Sequence, residues 1–83
     1  MTAEALKLLL KRSPFVPFKI NMSDGSSYEI THPDMVLITR NFANVAIWNK
    51  GQSGEDIPDS EAFLSYLHIA AVDDLPRRKR ASA

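Results

Sequence analysis

Three spacings of apolar residues succeed one another along this chain, and each predicts a different element. Over residues 3–12, Ala3, Leu6, Leu9 and Leu10 fall on one stripe at the helical advance of about 100° per residue, while Leu8 falls opposite, among Glu4, Lys11 and Arg12. Thr2 stands where an N-cap is needed, Glu4 lies in the first turn, and Lys7, Lys11 and Arg12 lie toward the end, the arrangement a helix dipole favours. Ser13-Pro14 stops this helix, because the residue before a proline resists the helical region. From Phe15 onward the period becomes two: Val16, Phe18, Ile20 and Met22 share one face, and Lys19, Asn21 and Ser23 share the other.

The register of the first hairpin follows from burial. A two-residue Asp24-Gly25 turn sets Met22 against Ser27 and Ile20 against Glu29, apolar against polar. A three-residue loop of Ser23, Asp24 and Gly25, with Gly25 in the left-handed conformation, pairs Ile20 with Tyr28 and Phe18 with Ile30. A slip of one residue turns every side chain over, so the second arrangement is the expected one. The return strand covers 27–31, breaks at His32-Pro33-Asp34 and resumes over 35–40, because proline cannot donate to a ladder. The unbroken run Met35, Val36, Leu37, Ile38 abandons alternation, which predicts that both its faces are covered. A turn at 41–44 leads to a third strand at 45–49, and 50–60 reads as an exposed loop.

The segment 61–75 carries two patterns at once. Ala62, Phe63, Tyr66, Leu67 and Ala70 fit a helical stripe, whereas Phe63, Tyr66, Ile69 and Val72 suit strands. We take it as one or two strands, with 68–72 the surest part. The expected fold is therefore mainly β within an α+β class. An N-terminal helix precedes four or five short antiparallel strands in a small, strongly bent sheet or barrel, SH3-like or Sm-like, whose curvature protects its edges.

Composition narrows the function classes. Eighty-three residues, 45% hydrophobic and 24% charged, suit one small globular domain at 1–76 with a short basic flexible tail at 77–83. Such a chain buries only about 60–65% of its unfolded surface, so self-association would help it. The absence of cysteine excludes a disulfide scaffold, a thiolate zinc site and a cysteine nucleophile. With no long apolar run and no signal-peptide layout, the expectation is a cytoplasmic protein that engages no membrane and needs no cofactor.

Net charge is zero, but four of the ten basic residues are Arg77, Arg78, Lys79 and Arg80; the remaining six meet ten acidic residues, a balance of −4. Any attraction for RNA or DNA must then come from the tail, and it would be weak, salt-sensitive and indifferent to sequence. The alternative is a solubilising terminus. Trp48 and Phe42, flanking the third strand, are candidates for a base-stacking platform or for core filling. Leu8 and Met1 are candidate contacts with a partner subunit, which makes a homo-oligomer or a protein-interaction adaptor the expected alternatives.

His32 beside Asp34 suits an acid–base pair or, with His68, a minor metal-dependent hydrolase. Turn chemistry at His32-Pro33-Asp34 accounts for the same residues without a substrate, with His32 expected as a partly buried strand residue. No catalytic residue is assigned. Gly51-Gln52-Ser53-Gly54 lacks the context of a nucleophile elbow and the Lys of a phosphate loop.

Pro17-Phe18-Lys19-Ile20, Asp24-Gly25, His32-Pro33-Asp34 and Leu67-His68-Ile69 together resemble a group of short bacterial proteins of unassigned function, over most of residues 14–72. The order of helix and bent strands also resembles the Sm-like family, whose members form rings and often bind RNA. That family's apolar-Arg-Gly motif on its late strands is absent, so no RNA-binding position carries over.

Overall fold

The computed structural model describes residues 1–48 and 57–76. Helix α1 (Ala3–Leu10) starts at Thr2, whose hydroxyl accepts from the Ala5 amide at 3.0 Å, and Leu6 is buried beneath it. Six short strands follow: β1 (Phe18–Met22), β2 (Ser27–Ile30), β3 (Val36–Ile38), β4 (Phe42–Ile47), β5 (Ser60–Ser65) and β6 (Ile69–Asp74). They form two three-stranded antiparallel sheets, in the orders β2-β1-β6 and β3-β4-β5. Six strands form where four or five were expected, and among the described residues they do not close into a barrel, one of the two expected forms. Two 3₁₀ turns, Pro33–Met35 and Tyr66–His68, interrupt the bent stretches, so β2 stays with β1 while β3 pairs with β4, and β5 and β6 likewise belong to different sheets.

The first hairpin has the register burial demands: Phe18 pairs with Ile30 and Ile20 with Tyr28. Gly25 adopts φ +93°, a conformation that side-chain-bearing residues rarely take. The amide of Gly25 donates to the Met22 carbonyl at 3.0 Å, and Asp24 accepts from both the amide and the hydroxyl of Ser26 at 2.9 and 2.7 Å. The Ser26 hydroxyl, then its amide, hold the Asp24 carboxyl below its ordinary range. Across β1, the ladder with β6 slips between Asn21 and Met22. That irregularity brings Ile69 and Val72, which have unlike parity, to the same inner side, buried and half-buried.

The core consists of Leu6, Phe18, Ile20, Ile30, Ala43, Val45, Leu64, Tyr66 and Ile69, so the helix and both sheets contribute to it. Tyr66 ties the second 3₁₀ turn to the loop between β3 and β4. Its hydroxyl lies 2.6 Å from the Thr39 carbonyl and 2.8 Å from that of Phe42. The Phe42 carbonyl already accepts from the amide and the hydroxyl of Thr39, so the single phenolic proton belongs on Thr39. Burial raises the phenol above its ordinary value of 10.0. Tyr66→Phe should cost about 1–2 kcal/mol by leaving that carbonyl unpaired, which a thermal melt would register as a loss of several degrees. Because the folded state holds this proton more tightly, the linked stability is complete below pH 10.0 and lost as pH rises through the folded value. An alkaline titration of unfolding should show that extra loss in the wild type and not in Tyr66→Phe.

Several expectations are corrected. Leu37 is 63% exposed, because a three-residue edge strand still alternates and only Val36 and Ile38 turn inward. The third strand begins at Phe42: a tight turn through Arg40 and Asn41, closed by the Thr39 amide on the Phe42 carbonyl at 2.9 Å, leaves Asn44 inside the strand. His32 is exposed, since the ladder ends at Ile30 and the 3₁₀ turn carries the chain away before its parity can apply. The strand reading of 61–75 holds: residues 60–65 pair with β4 along its length and 69–74 pair with β1. The basic tail and most of the 50–60 loop lie outside the described residues.

Candidate functional site

The outer face of the second sheet is where large apolar side chains meet solvent together. Alternation sends Ala43, Val45 and Leu64 into the core, so Leu37, Phe42, Asn44, Ala46, Glu61 and Phe63 share the other side. Leu37 is opposite Asn44, and Asn44 is opposite Phe63. This row places a leucine and a phenylalanine about 10 Å apart across the sheet, one strand spacing on each side of the amide. Phe42 lies one alternation along β4 from Asn44 and diagonal to Phe63. Phe63 is 62% exposed and Phe42 45%. Singly exposed apolar residues are commonplace, but three on one sheet face form a patch of the kind that marks an interaction surface.

Carboxylates edge this patch on one side. Asp34 and Glu61, both exposed, line an open groove of about 340 Å³ with Leu37, Asn44, Ala46 and Pro58. Arg40, in the β3–β4 turn, is the described cation nearest Phe42 along the chain. The face thus has the turn that holds Arg40 at one end, an apolar middle, and two acids at the other end.

The residues singled out from sequence are dispersed. His32, Asp34 and His68 do not converge, and among the described residues no cluster of three or more His, Cys, Asp or Glu could hold a metal ion. His68 instead lies by the first hairpin, where its carbonyl accepts from the Ser23 amide at 2.8 Å and its ring shares a groove of about 450 Å³ with Asp24, Tyr28 and Phe63. Trp48 and Phe42 stand beyond and at opposite ends of β4, six residues or about 20 Å apart, so they form no joint stacking platform. Trp48 is half-buried and lines a groove of about 460 Å³ with Tyr28, Met35 and Ile47, while Val45 faces inward at 1% exposure. Arg77, Arg78, Lys79 and Arg80 lie outside the described residues.

Met1 and Leu8 are exposed, at 39% and 70%. The amino group of Met1 donates to the Tyr66 carbonyl at 3.4 Å, which sets Met1 beside Leu67, itself 89% exposed. At the far end of α1, Arg12 bonds Asp74 through both terminal nitrogens, at 3.0 and 3.2 Å, and stands 6.0 Å from the centre of the Phe18 ring. The Arg12 hydrogen bond, reinforced by its charge, keeps the Asp74 carboxyl below its ordinary range.

The apolar sheet face was missed from sequence, although its signal is present. Val36-Leu37-Ile38 and Ala62-Phe63-Leu64 are unbroken apolar triplets, and in a sheet with one solvent face the middle residue of each must point outward. No family model, no curated protein and no solved structure matches this chain. Among the described residues no helix is long and apolar enough to cross a membrane.

Proposed function

We propose that this protein is a non-enzymatic binding and assembly module that receives a protein partner on the outer face of its second sheet. The observation that carries this reading is the row Leu37, Asn44, Phe63 with Phe42 beside it, a patch rimmed by acids on one side. The grooves lined by the described residues are open rather than enclosed, which supports a binding role.

Leu37 and Phe63 are exposed, so a Leu37→Ser/Phe63→Ser double variant should keep its melting temperature within a few degrees. Immobilised wild type should capture a discrete set of proteins from native extract that the double variant loses, while Glu29→Ser, which changes an exposed side chain on the first sheet, should retain them. Equal capture by all three would overturn the proposal. A second reading, nucleic-acid contact, is favoured by the clustering of four cations at 77–80 in an otherwise acidic chain; deleting 77–83 should then abolish a binding that falls steeply with salt.

A further inference from the structure

The helix side of the molecule carries a surface that is the chemical counterpart of the sheet face. On the exposed side of α1 runs a ridge: Leu8 has Glu4 one turn before it and Lys11 one turn after it, and Lys7 stands one turn from both Glu4 and Lys11. Met1 and Leu67 are exposed past the N-terminal end of the helix. The ridge is apolar with two cations toward one end and an acid at the other. The sheet face is apolar with two acids, Asp34 and Glu61, at one end and the turn that holds Arg40 at the other.

We propose that the occupant of the sheet face is a second copy of this chain, whose Leu8 ridge seats head-to-tail on Leu37 and Phe63. This rests on the reading of that face as a docking surface. In such a contact Lys7 and Lys11 meet Asp34 and Glu61, and Glu4 lies toward Arg40 of the other copy. The dimensions agree. Glu4 to Lys11 spans seven residues, about 10 Å of helix, and Phe42 to Ala46, which faces Glu61, spans about 13 Å of strand. Net charge favours the mixed contact: Glu4, Lys7 and Lys11 leave the helix surface cationic and Asp34, Glu61 and Arg40 leave the sheet surface acidic, so each attracts the other more than it attracts its own copy. A contact between two different surfaces is heterologous, so it continues into a ring or a filament instead of stopping at two copies.

Sedimentation equilibrium of the full chain tests this. The weight-average mass should rise above 9.3 kDa with concentration and fall back at about 0.5 M salt, where surface charges are screened within several ångström. Leu8→Asp and Leu37→Ser/Phe63→Ser, both folded by circular dichroism, should each sediment as monomers. Mixed in equal amounts they should form a dimer and nothing larger, because the pair retains one intact helix ridge and one intact sheet face. Lys7→Glu/Lys11→Glu should likewise lose assembly and regain it when mixed with Asp34→Lys/Glu61→Lys.

A wild type that stays monomeric to about 1 mM overturns the self-contact, as does a Leu8→Asp variant that assembles like the wild type, or a mixture that stays monomeric. If the Leu37 and Phe63 face still captures another protein in any of these cases, the docking reading stands without the self-contact. If assembly and capture are both indifferent to Leu37→Ser/Phe63→Ser, both fall.

Discussion

Phe18→Ala should remove most of the cooperative thermal transition of this protein. Phe18 is fully buried, the largest of the completely enclosed side chains, and it sits on β1, the central strand of its sheet, paired with Ile30 on one side and Asp74 on the other. Its ring packs 6.0 Å from that of Phe15 at 57°, and the Arg12 guanidinium stands the same distance away. Truncating a buried phenylalanine costs about 3–5 kcal/mol, part from lost transfer and part from the cavity left behind. A chain of this length holds about 4–12 kcal/mol in total, so the loss is a large share of the whole. Melting followed by near-ultraviolet circular dichroism should show either no transition or one displaced downward by more than about 15 °C. A displacement of only a few degrees would mean that the two sheets do not share the core described above.

How much of this was legible in sequence depends on the range of the interaction. The hairpin was legible to the residue, because its two strands are joined by three residues and only one register buries Phe18, Ile20, Tyr28 and Ile30 together. The α1 stripe was legible for the same local reason, and Leu8 stands exposed as its position on the wheel requires. The 61–75 segment carries a helical spacing as well, and the strand reading holds because β4 and β1 supply the other halves of its ladders. What failed depended on partners far along the chain. Closure into a barrel was read from strand count and order, yet the 3₁₀ turns at Pro33 and Tyr66 split the bent strands between sheets. The candidate site was misread for a related reason. The unbroken run Met35 to Ile38 predicts cover on both sides, whereas an edge strand in a sheet with a bare outer face leaves Leu37 to solvent. Candidate chemistry at His32, Asp34 and His68 came from residue type alone, and the fold does not bring those three side chains together.

The second large effect is expected at Leu6, and it separates the helix's structural role from its proposed role as a contact. An eight-residue helix is marginal in isolation, since its nucleation cost is spread over few hydrogen bonds. Thr2 caps its start, but docking depends on Leu6, its one fully buried residue, helped by the half-buried Ala3, Leu9 and Leu10. Leu6→Ala should therefore cost about 2–5 kcal/mol and show a distinct signature. Hydrogen exchange should lose protection over residues 5–11 well before β1 and β4 open, because the helix can detach while the two sheets keep their ladders. Leu8→Asp changes a side chain that is 70% exposed two residues away, so it should leave stability within about 0.5 kcal/mol and exchange across α1 unchanged. If the helix ridge is the surface one copy offers another, Leu6→Ala should weaken assembly together with helix protection. Leu8→Asp should weaken assembly alone. Parallel loss of protection in both variants would mean that Leu8 acts through folding, and that the ridge is held by contacts other than the core side of α1.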